Sequence, residues 1–128
     1  MNVPALKINN ILEDWAAIIP PIENFTVENV LNAAHLNQTY YEEVFKYLMR
    51  LEGFMLHPVQ IILCPYNHKC HVLDFNQPID YEEVYECWCS DEEFDPDNVL
   101  IAFQFVDAYR EECKKKKRII QKSMLQLA

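Results

Sequence analysis

The sequence predicts an α+β protein: a helical head, a cysteine-rich extended middle and a closing helix. Three observations carry this. Apolar residues recur at helical spacing three times before Gly53, the only glycine of the 128 residues. From Phe54 to Leu63 the chain turns apolar, β-branched and extended. Cysteine and histidine then gather between Cys64 and Cys89, and a period-two apolar run follows from Val99 to Phe105.

Each element has a local reason. In Pro4 to Ile19 the apolar stripe is Ile8, Ile11, Leu12, Trp15, Ala16 and Ile19. Asn2 is placed to cap it, Pro4 suits a first turn, and Pro20 and Pro21 stop it. Thr26 is a good N-cap for a second helix, and Glu28 sits where the helix dipole favours negative charge. Its buried stripe is Val27, Val30, Leu31 and Ala34, ending near His35. A short turn, Leu36 to Gln38, leads to Thr39, the expected cap of a third helix from Tyr40 to Glu52. That helix carries Tyr41, Val44, Phe45, Leu48 and Leu51 on its apolar face. Gly53 is the expected left-handed terminator.

Pro58 confines the following strand to an edge or a bulge. The strand runs into Cys64-Pro65, and Val72 to Phe75 can pair back on it. A loop with Pro78 and Asp80 leads through an acidic segment to Cys87, Trp88 and Cys89. The exit strand follows, with Val99, Ile101, Phe103 and Phe105 on one face. Asp107 to Leu127 has a helical pattern with a basic run from Lys114 to Arg118. No internal repeat and no long linker divides the chain.

Composition narrows the roles. Half the residues are apolar and 12% aromatic, which fits a packed core. No apolar run reaches membrane-spanning length, and the N-terminus lacks a basic flank and an apolar stretch of the secretory kind, so a cytoplasmic location is expected. The triplets at Asn24 and Asn37 that match glycosylation acceptors are then chance matches. The net charge of −9 is uneven: −4 over 1–63, −9 over 64–98 and +4 over 99–128. A nucleic-acid reader gathers cations on its contact face, and only the last thirty residues offer that.

Five cysteines in a reducing compartment argue for metal rather than disulfides. A structural zinc site takes four thiolate or imidazole ligands in a tetrahedron, and two turns can supply two each. The candidates are Cys64, His68, Cys70, His71, Cys87 and Cys89. Cys64, heading the Cys-Pro turn, is the first choice, with Cys87 and Cys89 next. His68 is preferred as the fourth because imidazole reaches across a widened turn, and Cys70 is the alternative. Strand alternation would turn His71 away from Cys70, and would put Cys87 and Cys89 on one face with Trp88 opposite. The spacings depart from paired Cys-x-x-Cys turns, so a fold without metal and a loosely held ion both stay open. Cys113 is expected to be a spectator.

Helix, helix, short turn, helix, glycine and strand pair is the order of a winged helix. The phrase Tyr41 to Phe54 resembles the last helix of such domains and the start of their wing. The strand ending at Cys64-Pro65, with the second cluster Cys87-Trp88-Cys89 and its exit strand, resembles a zinc ribbon. The resemblance implies a three-helix winged helix-turn-helix over 1–63, a zinc-ribbon-like β module over 64–106 and a basic C-terminal helix over 107–128, with zinc as a structural cofactor.

Catalysis is not expected. No Glu follows His68 at the spacing of a metallohydrolase helix, Cys70 and His71 are sequence neighbours, and no glycine loop or nucleophile elbow is present. The acids of 82–97 read as a solvated face. The expected role is a non-catalytic interaction module, an adaptor or accessory subunit whose partner is another protein. The alternative is a winged-helix DNA-binding transcription regulator. For either role the contact residues would be Tyr40, Lys46, Tyr47 and Arg50 on the third helix, with Lys114, Lys115, Lys116, Lys117 and Arg118 on the last. Glu42 and Glu43 at the start of the third helix disfavour DNA. A basic tail against the acidic middle of a second copy would give a homodimer.

Overall fold

Pro20 and Pro21 end the first helix as the sequence requires. In the computed structural model, which describes residues 3–127 and side chains as far as residue 120, α1 runs Ala5–Ala17 and Ile18 is already extended. Pro4 stands at its N-cap without a side-chain cap bond, and Asn2, the expected cap, lies outside the described residues. α2, Val27–Ala34, is held by a capping box. Asn29 N–H donates to Thr26 Oγ1 at 3.2 Å, and Thr26 N–H donates to Asn29 Oδ1 at 2.9 Å. His35 closes α2 in the left-handed region.

The third helix differs from expectation at both ends. A short 3-10 helix, Gln38–Tyr40, precedes α3, Tyr41–Met49. Thr39 is not the cap: Asn37 caps the 3-10 helix, its Oδ1 accepting both the N–H and the hydroxyl of Thr39, and α3 starts from Tyr40 without a side-chain cap bond. An Asx turn therefore wins over the hydroxyl cap two residues on. Gly53 is left-handed at φ +85° but stands in the turn beyond the helix, donating its N–H to Leu56 O at 3.0 Å. A Cβ there would meet nothing within 4 Å, so glycine serves the backbone angle rather than space.

Five strands follow: β1 Leu56–Leu63, β2 Lys69–Asp74, β3 Tyr85–Cys87, β4 Ser90–Phe94 and β5 Val99–Phe105, before α4, Asp107–Leu127. The first sheet has the order β2-β1-β5, and β3 and β4 form a separate hairpin. β1 is antiparallel to β2, with Ile61 opposite Val72. The bonds Leu63 N–H to Asn98 O and Val106 N–H to Met55 O, at opposite ends of β1, make β5 antiparallel to it as well.

β1 is thus the central strand, which corrects the edge position expected from Pro58. The physical reason is local. Pro58 O accepts from Phe75 N–H at 3.3 Å, so residue 58 faces the β2 side at a point where β2 has already ended. The carbonyl that the missing proline donor would serve, Phe75 O, accepts from Gln60 Nε2 at 3.1 Å instead.

By contacts the chain forms two compact units, Met1–His57 with Gln104–Ala128, and Pro58–Phe103. The expected segments were cut at 63 and 106. The chain passes from one unit to the other within β1 and again within β5. The first unit buries Ile8, Leu12, Ala16, Val30, Leu31, Val44, Leu48 and Leu56 almost completely. Phe25 packs against Trp15 and Phe105, with ring centres 5.4 and 5.1 Å apart. Arg110 lies over the Phe105 ring and donates to Ile22 O. The second unit has a smaller core: Val59, Ile61, Ile62, Ala102 and Phe103, with Tyr85 and two of the cysteines. Among the described residues no helix is long and apolar enough to cross a membrane.

Candidate metal centre

The loop that leaves β1 is wound around one sulfur. Asn67 N–H donates to Cys64 O at 2.8 Å, and Cys64 N–H to His68 O at 3.0 Å. Asn67 takes a left-handed φ of +65°, which asparagine tolerates better than most side chains. The winding brings His68 N–H to 3.3 Å from Cys64 Sγ. Asn98 Nδ2 braces the loop at Asn67 Oδ1, 3.3 Å away.

The second group comes from the β3–β4 hairpin. Cys87 pairs with Ser90, leaving Trp88 and Cys89 as a two-residue turn. This corrects the strand alternation expected for Cys87 and Cys89. Neither turn residue has positive φ, so the turn is not of the primed type that suits strand twist. The ladder shifts register immediately beside it, between Glu86 and Cys87, with Asp91 and Glu92 as the extra residues.

The two turns meet. One donor atom from each of Cys64, His68, Cys87 and Cys89 lies within 4.8 Å of the other three. Cys64 Sγ is 3.7 Å from Cys89 Sγ and 3.5 Å from His68 Nδ1. With zinc–sulfur and zinc–nitrogen bonds of about 2.3 and 2.0–2.1 Å, the edges of a tetrahedron are about 3.8 Å between sulfurs and 3.5–3.6 Å between sulfur and nitrogen. The spacing matches ligands around a shared ion, and it is too wide for a disulfide. All five cysteines are free thiols. The four residues can hold a metal ion, and their chemistry, three thiols and one imidazole, suits one of borderline softness.

The crowded thiols differ in how readily they ionise. Burial opposes ionisation of Cys64, yet the N–H groups of His68 and Tyr66, with the Cys89 and His68 side chains, hold its thiol down at about 6. Burial, then hydrogen bonding with Cys87 and Cys64, pushes Cys89 up to about 12. Cys70 is likewise pushed up to about 12, first by burial and then by Cys87 and Cys64. Cys64 is thus favoured as the thiolate, while burial first and the neighbouring sulfurs second oppose ionisation of Cys89 and Cys70.

Cys70 and His71 depart from simple alternation. Ile62 pairs with His71 and Leu63 with Lys69, so Cys70 is the extra residue of a bulge. Cys70 Sγ donates to His68 O at 3.4 Å, while the His71 ring packs edge-on to Tyr85, 4.8 Å between centres. His71 is occupied by this ring contact and Cys70 stands at the rim of the four-donor group.

Of the other residues put forward, Tyr40 and Tyr47 are half-buried, and Tyr47 OH donates to Asn9 Oδ1 on α1 at 2.5 Å. Lys46 pairs with Glu42 at 3.2 Å, Lys114 with Glu111 at 3.6 Å, Lys116 with Glu13 at 3.1 Å and Lys117 with Asp14 at 2.6 Å. Arg50, Lys115 and Arg118 are exposed. The sequence reading passed over the aromatics at the turn tips. Trp88 is 82% exposed and Tyr66 64%, and the Trp88 ring lies 4.9 Å from that of His68. The signal was present, since a hydrophobic residue flanked by two ligands in a tight turn has little core to enter.

Comparison with known protein families, with curated proteins and with solved structures finds no match to this chain.

Proposed function

We propose that this chain is a non-catalytic interaction module, an adaptor or accessory subunit, in which a winged-helix-like head carries a small ribbon-like module closed by a structural zinc ion. The observation that carries the reading is the convergence of Cys64, His68, Cys87 and Cys89 within 4.8 Å of one another, with the Cys64–His68 and Cys64–Cys89 distances at the edge lengths of a zinc tetrahedron. Four protein donors fill the coordination sphere, which is the closed arrangement of structural sites; catalytic zinc keeps a position open. The order α1, α2, 3-10 turn, α3, glycine turn, β1 and β2 supports the winged-helix reading. The exposed Trp88 and Tyr66 supply the aromatic surface that protein interfaces favour. The partner is another protein, and the expected compartment is the cytoplasm.

The alternative, a winged-helix DNA-binding regulator, draws on the helix order and on the Lys114–Arg118 run. It is weakened by the ion pairs, because Lys46, Lys114, Lys116 and Lys117 each face a carboxylate of the same chain. Phosphate contacts would have to displace these carboxylates. Two measurements test the proposal. Elemental analysis should find one equivalent of zinc in the purified protein, and random-sequence duplex DNA should give no mobility shift at low salt. A shift that falls steeply with salt and disappears in Lys46→Ala/Arg50→Ala would establish the regulator instead.

A further inference from the structure

Cys70 is left over by the four-ligand centre, yet it is not remote from it. Its thiol donates to His68 O at 3.4 Å, the same carbonyl that receives the Cys64 N–H at 3.0 Å. That shared acceptor sets the Cys70 sulfur against the base of the loop carrying Cys64 and His68. It is the extra residue of the β2 bulge, and Cys87 and Cys64 are among the groups that act on its thiol. Cys70 is thus a fifth sulfur beside the four-donor group, and the two candidates of the 64–70 segment for one position, His68 and Cys70, differ in softness.

Resting on the metal reading above, we propose that the ion decides which of the two binds: zinc takes Cys64, His68, Cys87 and Cys89, whereas a soft thiophilic divalent cation such as Cd²⁺ takes Cys64, Cys70, Cys87 and Cys89. Soft ions gain most from thiolate ligands, while a borderline ion is served nearly as well by imidazole. A fourth thiolate adds negative charge to a segment, 64–98, that already holds ten acids and one base. That repulsion favours His68 unless metal–sulfur bonding outweighs it. The exchange balances without an oxidant or reductant. The Cys70 S–H bond breaks as the metal–sulfur bond forms, its proton passes to water, and the His68 ring is left off the metal. His68 has a place to go, because its ring already rests against exposed Trp88 at 4.9 Å.

The test uses the full chain, stripped with chelator and reloaded with Cd²⁺ or with Co²⁺ as the spectroscopic substitute for zinc. Sulfur-to-metal charge-transfer absorbance per bound ion counts the thiolates. With Cd²⁺ the band should fall by about a quarter in Cys70→Ser, one thiolate in four, and with Co²⁺ it should be unchanged. His68→Ala should keep one equivalent of Cd²⁺ while its Co²⁺ affinity drops at least about tenfold. A cadmium-113 resonance of the wild-type protein reports the sulfur count without any substitution, so a poorly folded variant does not blunt the test. A three-thiolate cadmium site in the wild type, or loss of Cd²⁺ from His68→Ala, overturns this inference alone. Failure of the wild type to bind either ion overturns it together with the metal reading.

Discussion

Removing the metal should unfold one unit and spare the other. In the 58–103 unit the large side chains that are almost completely buried are Val59, Ile61, Ile62 and Phe103. At about 1.5–3 kcal/mol each, they contribute on the order of 6–12 kcal/mol before any chain entropy is set against them. Structural zinc in small modules supplies about 10–16 kcal/mol of apparent binding energy, as much as that whole apolar set. The unit of Met1–His57 with Gln104–Ala128 buries a far longer series, from Ile8 to Tyr109, and contains none of the four converging donors. Hydrogen exchange with and without chelator, followed by peptide mass spectrometry, separates the two. After metal removal, the amides of Cys64, Asn67 and β2 to β4 should lose their protection, while those of α1, α2 and α3 keep theirs. Retained protection from Cys64 to Phe94 in protein shown by elemental analysis to be metal-free would refute the reasoning, because the apolar core would then suffice alone.

The helical unit allows three simpler expectations, each read from the urea midpoint of its far-ultraviolet signal. Thr26→Ala removes one half of the capping box and should cost about 1 kcal/mol. Leu48→Ala empties a fully buried position on α3 and should cost about 2–5 kcal/mol, the upper end applying if the cavity does not collapse. Lys117→Ala breaks the 2.6 Å pair with Asp14, but both side chains are substantially exposed, so the loss should be within about 1 kcal/mol and should shrink as salt is added. A larger loss would mean that α4 depends on charge rather than on its apolar contacts with α1.

The parts of this fold that were legible in the sequence are those fixed within a few residues. The stripes of α2 and α3 bury at their central positions as their spacing requires, and Thr26 caps α2 where expected, but α1 stops at Ala17, so Ile19, expected on its apolar face, stands 80% exposed before Pro20. The closing helix, Asp107–Leu127, has the expected limits. Thr39 shows how narrow that legibility is. Asn37 and Thr39 are both good caps, and only the backbone path decides that asparagine accepts while threonine donates.

What was misread depends on partners distant in sequence. Pro58 rightly signals a missing donor, but whether that donor matters depends on where β2 stops, which no residue near Pro58 encodes. Alternation along β2 would separate Cys70 from His71, and it fails because the register with β1 slips by one residue there. The Trp88–Cys89 turn carries no Gly or Asn to announce it, and the strand mismatch it creates is absorbed by Asp91 and Glu92 next door. The four converging donors were nevertheless readable, because side chains clustered at two turns need only those turns to approach. The order in which the donors compete was not. Cys70 was already the alternative to His68 by spacing, but the bulge that sets its sulfur against the base of the 64–68 loop depends on the register between β1 and β2.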